Sequence, residues 1–262
     1  MENKLVLFNN KNFPKINFQY TDKHEYKKVN EEEYNNLIIN KNKIDNLNNH
    51  KLWDRAKKLS NDYELIHLPN KKMKSYSIAL YEPLSRSYFK LWEILVDFKF
   101  SFLDKNEKIK MAGLAEGPGG FIEAFVNYRK KKNFENDYVY GITLKSVNKD
   151  VPGWKKTKDF LSINDNVIIS YGKDDTGNIY NIENIKSFIN LVKKRSVELV
   201  TADGGFDFSI NFNKQEQLAC RMIYCEIIMN LFLQKEGGSF VCKIFDIYTD
   251  ITISFIYLLS CC

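Results

Sequence analysis

The sequence predicts an α/β fold in which a mostly parallel sheet carries helices on both faces. Between about residues 110 and 246, short apolar runs typical of buried strands alternate with helical patterns five times. A glycine-rich turn, Glu116 to Phe121, joins the first of these runs to a helix. Such alternation requires crossover connections between parallel strands, and ligands then bind outside the carboxyl ends of the strands.

The predicted strands are short and rich in apolar or β-branched residues. In chain order they are KMAGLAE, YVYGITL, NVIISYG, VELVTADGG and GSFVCKIFD. Helices are predicted at FIEAFVNYRKK, NIENIKSFINLVKK and KQEQLACRMIYCEIIMNLFLQK.

Two further helices flank this alternation. Apolar residues recur at three- and four-residue steps over residues 84–102, and Ser85 is the predicted N-cap after Pro83. Another helix is predicted from about Thr249 to Cys262, with no strand after it. An open sheet that ends on a helix is unusual, so we expect that more sequence normally follows and that the last strands of the sheet are missing.

The first 75 residues differ in composition from the rest. Asn, Lys, Glu and Ile dominate there, and apolar residues are scattered. We expect a helical and polar N-terminal appendage over residues 1–75, followed by the sheet domain over residues 76–262.

Composition and charge exclude several classes of protein. The 262 residues are 44% hydrophobic, which supplies a core and excludes wholesale disorder. Lys and Arg number 39 against 33 Asp and Glu, a mild excess that favours a polyanionic partner. The five cysteines form no CxxC pair, so we expect reduced thiols and no metal site. The longest apolar stretch, residues 251–262, is too short to span a bilayer, so we expect a soluble intracellular protein.

The glycine turn EGPGGF is the first candidate for ligand binding. Its three glycines allow a tight turn and a close approach of the backbone to a ligand, and the first amides of the following helix face that ligand. The turn has neither the GxGxxG spacing of dinucleotide-binding proteins nor the GK[ST] ending of a P-loop.

Together, EGPGGF, TADGGFDFS and GSFVCKIFD resemble the FtsJ-like RNA ribose 2′-O-methyltransferase family over about residues 84–262. Within that family, the run from ADGGF through KIFD to IYLLSCC is most similar to the mRNA cap methyltransferases of eukaryotes and large DNA viruses. The resemblance implies a Rossmann-like fold and S-adenosylmethionine as cofactor.

The resemblance also implies which residues contact the cofactor. The glycine turn would hold the methionine part, and the loop YGKDDTGNI would contact the adenine through Asn178, with Asp174 and Asp175 as alternatives. The expected cofactor-binding residues are Ser85, Glu116, Gly117, Pro118, Gly119, Gly120, Phe121, Asp174, Asp175, Asn178 and Asp203.

The family places a Lys-Asp-Lys-Glu set at its catalytic centre, and three of the four have counterparts here. They are Lys90 on the first predicted helix, Asp203 after VELVTA and Lys243 after SFVC. By this resemblance Lys243 is the general base, while Lys90 and Asp203 orient the hydroxyl. Arg86, one helical turn before Lys90, is the expected contact to a substrate phosphate. The fourth member, a glutamate, has no counterpart before Cys262, which puts the activity of this chain in doubt.

The expected partner is RNA, by resemblance the 5′ end of capped mRNA, with other capping or transcription proteins possible and no membrane. Three basic clusters, at residues 130–132, 155–158 and 193–195, are more typical of solvated faces than of an RNA track. Two alternatives stay open: a ribose methyltransferase of ribosomal or transfer RNA, and a non-catalytic RNA-binding module of the same fold. The expected location is the cytoplasm or a site of viral replication.

Overall fold

The computed structural model describes residues 25–46, 50–60, 66, 81–135, 137–145, 153–154, 157–205 and 212–261. The predicted domain boundary near residue 75 lies outside these residues. Two compact units make up the chain. One comprises Met1–Leu47, Asp207–Tyr224 and Ile244–Cys262, and the other comprises Asn48–Phe206 and Cys225–Lys243.

Helices and strands alternate from residue 110 onward, as the sequence predicts. The helices are α1 (Glu31–Asn42), α2 (His50–Ser60), α3 (Ser87–Asp97), α4 (Gly120–Lys131), α5 (Lys158–Ser162), α6 (Ile182–Val192), α7 (Gln215–Leu233) and α8 (Asp250–Ser260). The strands are β1 (Lys110–Leu114), β2 (Tyr138–Ile142), β3 (Val167–Ser170), β4 (Val197–Ala202) and β5 (Gln234–Cys242).

The five strands form one sheet in the order β3-β2-β1-β4-β5, and every pairing in it is parallel. The predicted doubly wound parallel sheet is therefore confirmed. From β1 the chain first moves outward to β2 and β3, and then returns to β4 and β5 on the other side of β1. Because such crossovers are right-handed, this reversal places helices on both faces and opens a crevice at the carboxyl ends of β1 and β4.

The centre of the sheet is packed by apolar side chains. All six residues of β4 are buried, as a central parallel strand requires. Leu91 and Leu95 of α3 share one buried cluster with Phe121 and Phe125 of α4. These contacts hold the segment before β1 against the helix that follows the glycine turn.

A buried ion pair closes the connection between α4 and β2. Arg129 is 1% exposed, and its Nε donates to Asp137 at 2.7 Å. Its other nitrogens donate to Asp137 and to the backbone carbonyls of Leu103, Lys105 and Glu107. Asp137 in turn accepts from the N–H of Ile109 just before β1. Charged groups this deep are stable only when fully paired, and here they are.

In the other compact unit, polar contacts fix the start of α8. Glu216 accepts hydrogen bonds from the backbone N–H and the hydroxyl of Thr249, at 2.8 and 2.7 Å. Thr249 is the N-cap of α8, as the predicted helix start implies. Lys41 of α1 pairs with Asp246 at 2.6 Å.

The structure differs from the sequence-based prediction at two helices, α3 and α5. Ser85 is not the N-cap of α3, because Arg86 occupies that position and the Ser85 hydroxyl bonds instead to the hydroxyl of Ser87. The helix is also shorter than predicted, ending at Asp97. The five-residue helix α5 between β2 and β3 was not predicted, because Phe160 is the only buried residue in it.

Strand β5 pairs irregularly with β4 at its beginning. Val197 pairs with Gln234, but Leu199 pairs with Ser239, so β5 carries extra residues between these two pairs. Gly237, with φ of 74°, lies in this bulge. From Ser239 to Cys242 the register is regular. Among the helices in the described ranges, none combines the length and the apolar character needed to cross a membrane.

Candidate active site

Asp203 and Lys243 meet at the carboxyl ends of the two neighbouring strands β4 and β5. Ala202 pairs with Cys242 in parallel register, and the N–H of Lys243 donates to the carbonyl of Ala202 at 2.9 Å. The next residue on each strand therefore lies beside the other. Lys243 Nζ is 2.7 Å from Asp203 Oδ1 and donates to the Asp203 carbonyl at 3.0 Å. Both side chains keep some contact with solvent, 28% for Lys243 and 13% for Asp203.

Glu116 lies beneath this pair rather than at the surface. Its carboxyl group is buried and accepts from the Thr201 hydroxyl at 2.6 Å and from the N–H of Ile122 at 3.3 Å. Burial raises the pKa of Glu116 to about 8. The hydrogen bond from Thr201 opposes this rise, and the nearby charge of Asp203 adds to it. At neutral pH Glu116 is therefore mostly protonated, and it ties the glycine turn to β4.

The glycine turn is shaped by close packing around two of its glycines. Gly119 has φ of 98° and lies against the indole ring of Trp154. Gly120, the first residue of α4, lies against the hydroxyl groups of Ser85 and Ser87. Any side chain at either position would collide with these groups, so the sequence needs glycine at both.

The predicted cofactor residues around the turn divide by exposure. Gly117 and Pro118 are half-buried at the carboxyl end of β1, where a ligand can reach their backbone, and Ser85 is also half-buried. The ring of Phe121 is 3% exposed and belongs to the core cluster. Only its backbone is therefore available to a ligand.

Asp174 stabilises the loop that follows β3. Its carboxylate accepts from the Thr176 N–H and hydroxyl at 3.0 and 2.6 Å, and from the amide groups of Asn181 and Asn184 at 2.7 and 2.8 Å. These hydrogen bonds, that of the Thr176 hydroxyl above all, hold the pKa of Asp174 well below its usual range. The carboxylate thus fixes the loop that presents its neighbours.

Asp175 and Asn178 are two of the exposed residues of that loop. Asp175 pairs with Lys145, just beyond β2, and the Asn178 side chain accepts from the N–H of Tyr180 at 2.9 Å. Gly177, with φ of 68°, packs against the carbonyl of Thr143 so closely that no side chain fits. The loop therefore lies over the carboxyl end of β2.

Lys90 and Arg86 lie at the start of α3. Lys90 is exposed, and within the described residues no hydrogen bond or ion pair joins it to Asp203 or Lys243. Arg86 is exposed at the N-cap of the helix. The direct contact in the described part of the chain is thus between two of the three predicted catalytic residues, Asp203 and Lys243.

Two of the basic clusters lie at the opposite edge of the sheet. Residues 130–132 end α4 just before β2, and residues 193–195 come just before β4, so both are at the amino ends of strands. At that edge Glu198 accepts from the N–H of Lys110 at 2.7 Å and pairs with Lys235 at 2.5 Å. The interpretation as solvated faces fits these positions; Lys155 and Lys156 lie outside the described residues.

Glu226 is a second buried acid near the pair, and the sequence analysis missed it. It lies on α7 with no exposed surface. Burial raises its pKa to about 8, the charge of Lys243 and the Gly204 N–H lower it, and Asp203 and Glu116 raise it. A signal was present, because Glu226 is the one charged residue in the apolar segment MIYCEIIMN.

Comparison with known proteins places the chain in a family. Residues 83–262 match the FtsJ-like methyltransferase family. Cap-specific mRNA (nucleoside-2′-O-)-methyltransferase 1 of Mus musculus is 38% identical over 159 residues, which is 58% of this chain and 18% of that protein. The Homo sapiens protein of the same name is 35% identical over 60% of this chain and 19% of its own length.

Cap-specific mRNA (nucleoside-2′-O-)-methyltransferase 2 of Pongo abelii is 31% identical over 69% of this chain and 24% of its own length. The chain thus spans about a fifth of the length of the curated relatives it matches. The family match covers well over half of the chain and includes the glycine turn, Asp203 and Lys243. The chain belongs to the FtsJ-like methyltransferase family.

Proposed function

We propose that this chain is an S-adenosylmethionine-dependent RNA ribose 2′-O-methyltransferase that acts on the first transcribed nucleotide of capped mRNA. The observation that carries the proposal is the ion pair of Lys243 and Asp203, 2.7 Å apart, at the carboxyl ends of β4 and β5. In a doubly wound sheet this edge is where ligands bind.

The residues at this edge fit S-adenosylmethionine. Glycine at 119 and 120 lets the turn close tightly, and Gly117, Pro118 and Ser85 keep surface that a ligand can reach. When bound, the cofactor supplies an electrophilic methyl group on a sulfonium centre. The turn would hold the methionine part, and the loop bearing Asp174, Asp175 and Asn178 would lie beside the adenosine.

Removal of the hydroxyl proton is assigned to Lys243. Its Nζ is partly exposed, so a ribose 2′-hydroxyl can approach it, and it must be the neutral amine to accept the proton. Asp203 holds the amine in place through its carboxylate and its carbonyl. Lys90 and Arg86 would contact the substrate from α3, Lys90 orienting the hydroxyl and Arg86 binding a phosphate.

The capped mRNA substrate is proposed because the curated relatives are named as cap-specific mRNA methyltransferases. RNA is also the polymer that carries the 2′-hydroxyl. Further capping or transcription proteins are proposed partners on the same ground.

The test is transfer of labelled methyl from S-adenosylmethionine to a short capped RNA, with uncapped RNA of the same sequence in parallel. Nuclease digestion then locates the label. Lys243→Ala is the active-site variant, and Lys235→Ala is its control, because Lys235 is on the same strand but pairs with Glu198 at the opposite edge.

Label on the 2′-oxygen of the first nucleotide of capped RNA alone, lost in Lys243→Ala and kept in Lys235→Ala, is the expected result. Equal label on uncapped RNA would replace the cap-specific substrate with another RNA. Absence of label on either RNA, in a protein that binds them, would identify a non-catalytic binding module.

A further inference from the structure

Glu226 is a buried acid whose structural surroundings do not explain it. The residue is 0% exposed, and neither carboxyl oxygen has a hydrogen bond of good geometry within the described part of the chain. One helical turn further along α7, Asn230 is 3% exposed, and its side-chain oxygen lacks such a partner in the same residues. Burying an unsatisfied polar group is costly, so a helix that keeps two on one face calls for a reason.

The surroundings of Glu226 place it at the ion pair. The groups that interact with it electrostatically are Lys243, Asp203, Glu116 and the N–H of Gly204. Burial, and after it the charge of Glu226, raises the pKa of the Cys242 thiol. These groups come from the ends of β4 and β5 and from the turn after β1. Glu226 therefore lies close enough to the Asp203–Lys243 pair to interact with it electrostatically.

The charge state of this cluster follows from burial. Glu116 and Glu226 are both mostly neutral acids at pH 7, because burial raises the pKa of each to about 8. Asp203 and Lys243 form the ion pair of the cluster, with Lys243 Nζ 2.7 Å from Asp203 Oδ1. When Glu226 ionises, a second negative charge arises near Lys243. Because Glu226 is fully buried, solvent screens this charge weakly, and its attraction for a positive charge on Lys243 is strong.

We propose that Glu226 is a positioning residue that acts through Lys243. As a neutral acid it leaves the Lys243 amine free to exchange its proton, and as a carboxylate it holds Lys243 as the ammonium. Glu226 is not one of the residues that the family resemblance places at the catalytic centre. The effect of Glu226 on methyl transfer rests on the proposed function, whereas the effect of Glu226 on the Lys243 amine does not.

The first experiment measures the reactivity of the Lys243 amine directly. The protein is pulse-labelled with acetic anhydride between pH 6 and pH 10, and acetylation of each lysine is quantified by mass spectrometry, since only the neutral amine reacts. Glu226→Gln, which cannot ionise, is compared with the wild type. Because Glu116 and Glu226 interact electrostatically, the same comparison is also made between Glu116→Gln and the double variant Glu116→Gln/Glu226→Gln, in which Glu116 cannot ionise.

Below pH 7 the two proteins should label Lys243 equally, because Glu226 is protonated in the wild type. At pH 9 the variant should label on the order of tenfold faster, because the wild-type carboxylate holds the ammonium. Glu198→Gln is the matched control. It removes the acid from the other ion pair of β4 and β5, so it should leave Lys243 unchanged and speed the labelling of Lys235.

Superimposable Lys243 profiles in wild type and Glu226→Gln, with the Lys235 response intact in the control, would overturn the proposal. Glu226→Leu serves as a second non-ionising variant of similar volume if the amide variant does not fold.

Methyl transfer measured on the same proteins separates this inference from the proposed function. The ratio of the Glu226→Gln rate to the wild-type rate should rise above pH 8. Changed Lys243 labelling in a protein that methylates no RNA supports the electrostatic role and refutes the enzyme. A constant rate ratio at every pH, with transfer intact, refutes the role of Glu226 and leaves the enzyme standing.

Discussion

Gly119 and Trp154 fit against each other with no space for a single methyl group. A Cβ atom on Gly119 would lie 2.2 Å from the indole ring, and the φ of 98° would strain any residue other than glycine. The glycine turn is thus fixed by a side chain that comes from the far side of β2 in the sequence.

Gly119→Ala should lower the free energy of unfolding by about 2–5 kcal/mol, the sum of backbone strain and overpacking. Gly237→Ala is the control, because Gly237 also has a positive φ but nothing lies within 4 Å of its Cβ position. Denaturant unfolding of both variants measures the difference. Equal losses at the two positions would show that Trp154 imposes no constraint.

Lys243→Ala should reduce methyl transfer by about 10²- to 10⁴-fold, the usual worth of a general base. Affinity for S-adenosylmethionine, measured by calorimetry, should stay close to that of the wild type, because the amine acts on the substrate oxygen. A variant that transfers methyl groups at an undiminished single-turnover rate would remove Lys243 from the chemistry.

Asp137→Ala should cost about 3–5 kcal/mol of folding stability, because it leaves the Arg129 guanidinium buried without its counter-charge. Asp104→Ala provides the comparison. Its ion pair with Lys132 is exposed, so thermal unfolding should be unchanged. If the two variants melt alike, the buried pair contributes no more than a surface one.

Glu116→Gln should change how stability depends on pH. The folded state raises the pKa of Glu116 from 4.5 to about 8, so between these values the folded protein holds a proton that the unfolded chain has lost. The wild type therefore loses stability as the pH rises through this window. The amide cannot ionise. Relative to the wild type, the free energy of unfolding of the variant should therefore be about a few kcal/mol higher near pH 9 than it is near pH 5. Chemical unfolding of both proteins at both pH values is the measurement. If the difference in stability between variant and wild type is the same at pH 5 and pH 9, the Glu116 pKa lies near its ordinary value.

Much of the sheet was predictable because its strands are locally encoded. The runs that form β1 to β4 are apolar and short, and the glycine turn marks the start of α4. Strand β5 begins earlier than predicted, at Gln234, because a polar residue there extends the strand by pairing with Val197, a contact that local sequence does not encode. Helix α5 was not predicted because its five residues show no apolar pattern typical of a helix.

The part of the site that lies at the ends of strands was predictable from the sequence. Asp203 and Lys243 each end a recognisable strand, and the sheet order then brings them into contact. Glu226 stands out in the sequence as a lone charged residue in an apolar segment, but its relation to Lys243 was not predictable, since that depends on how α7 packs rather than on spacing along the chain. The roles of Lys90, Arg86 and the loop after β3 stay predictions.

The bulge divides β5 into a first part that pairs irregularly with β4 and a second part, before Lys243, that pairs in regular register. A shift of one residue in a strand turns every later side chain to the opposite face. Because the irregular pairing lies around Gly237 and the register is regular from Ser239 onward, insertions or deletions near Gly237 can be absorbed before the strand reaches Lys243. Homologous chains should therefore vary in length at this bulge, whereas the four residues before Lys243 should keep a constant length.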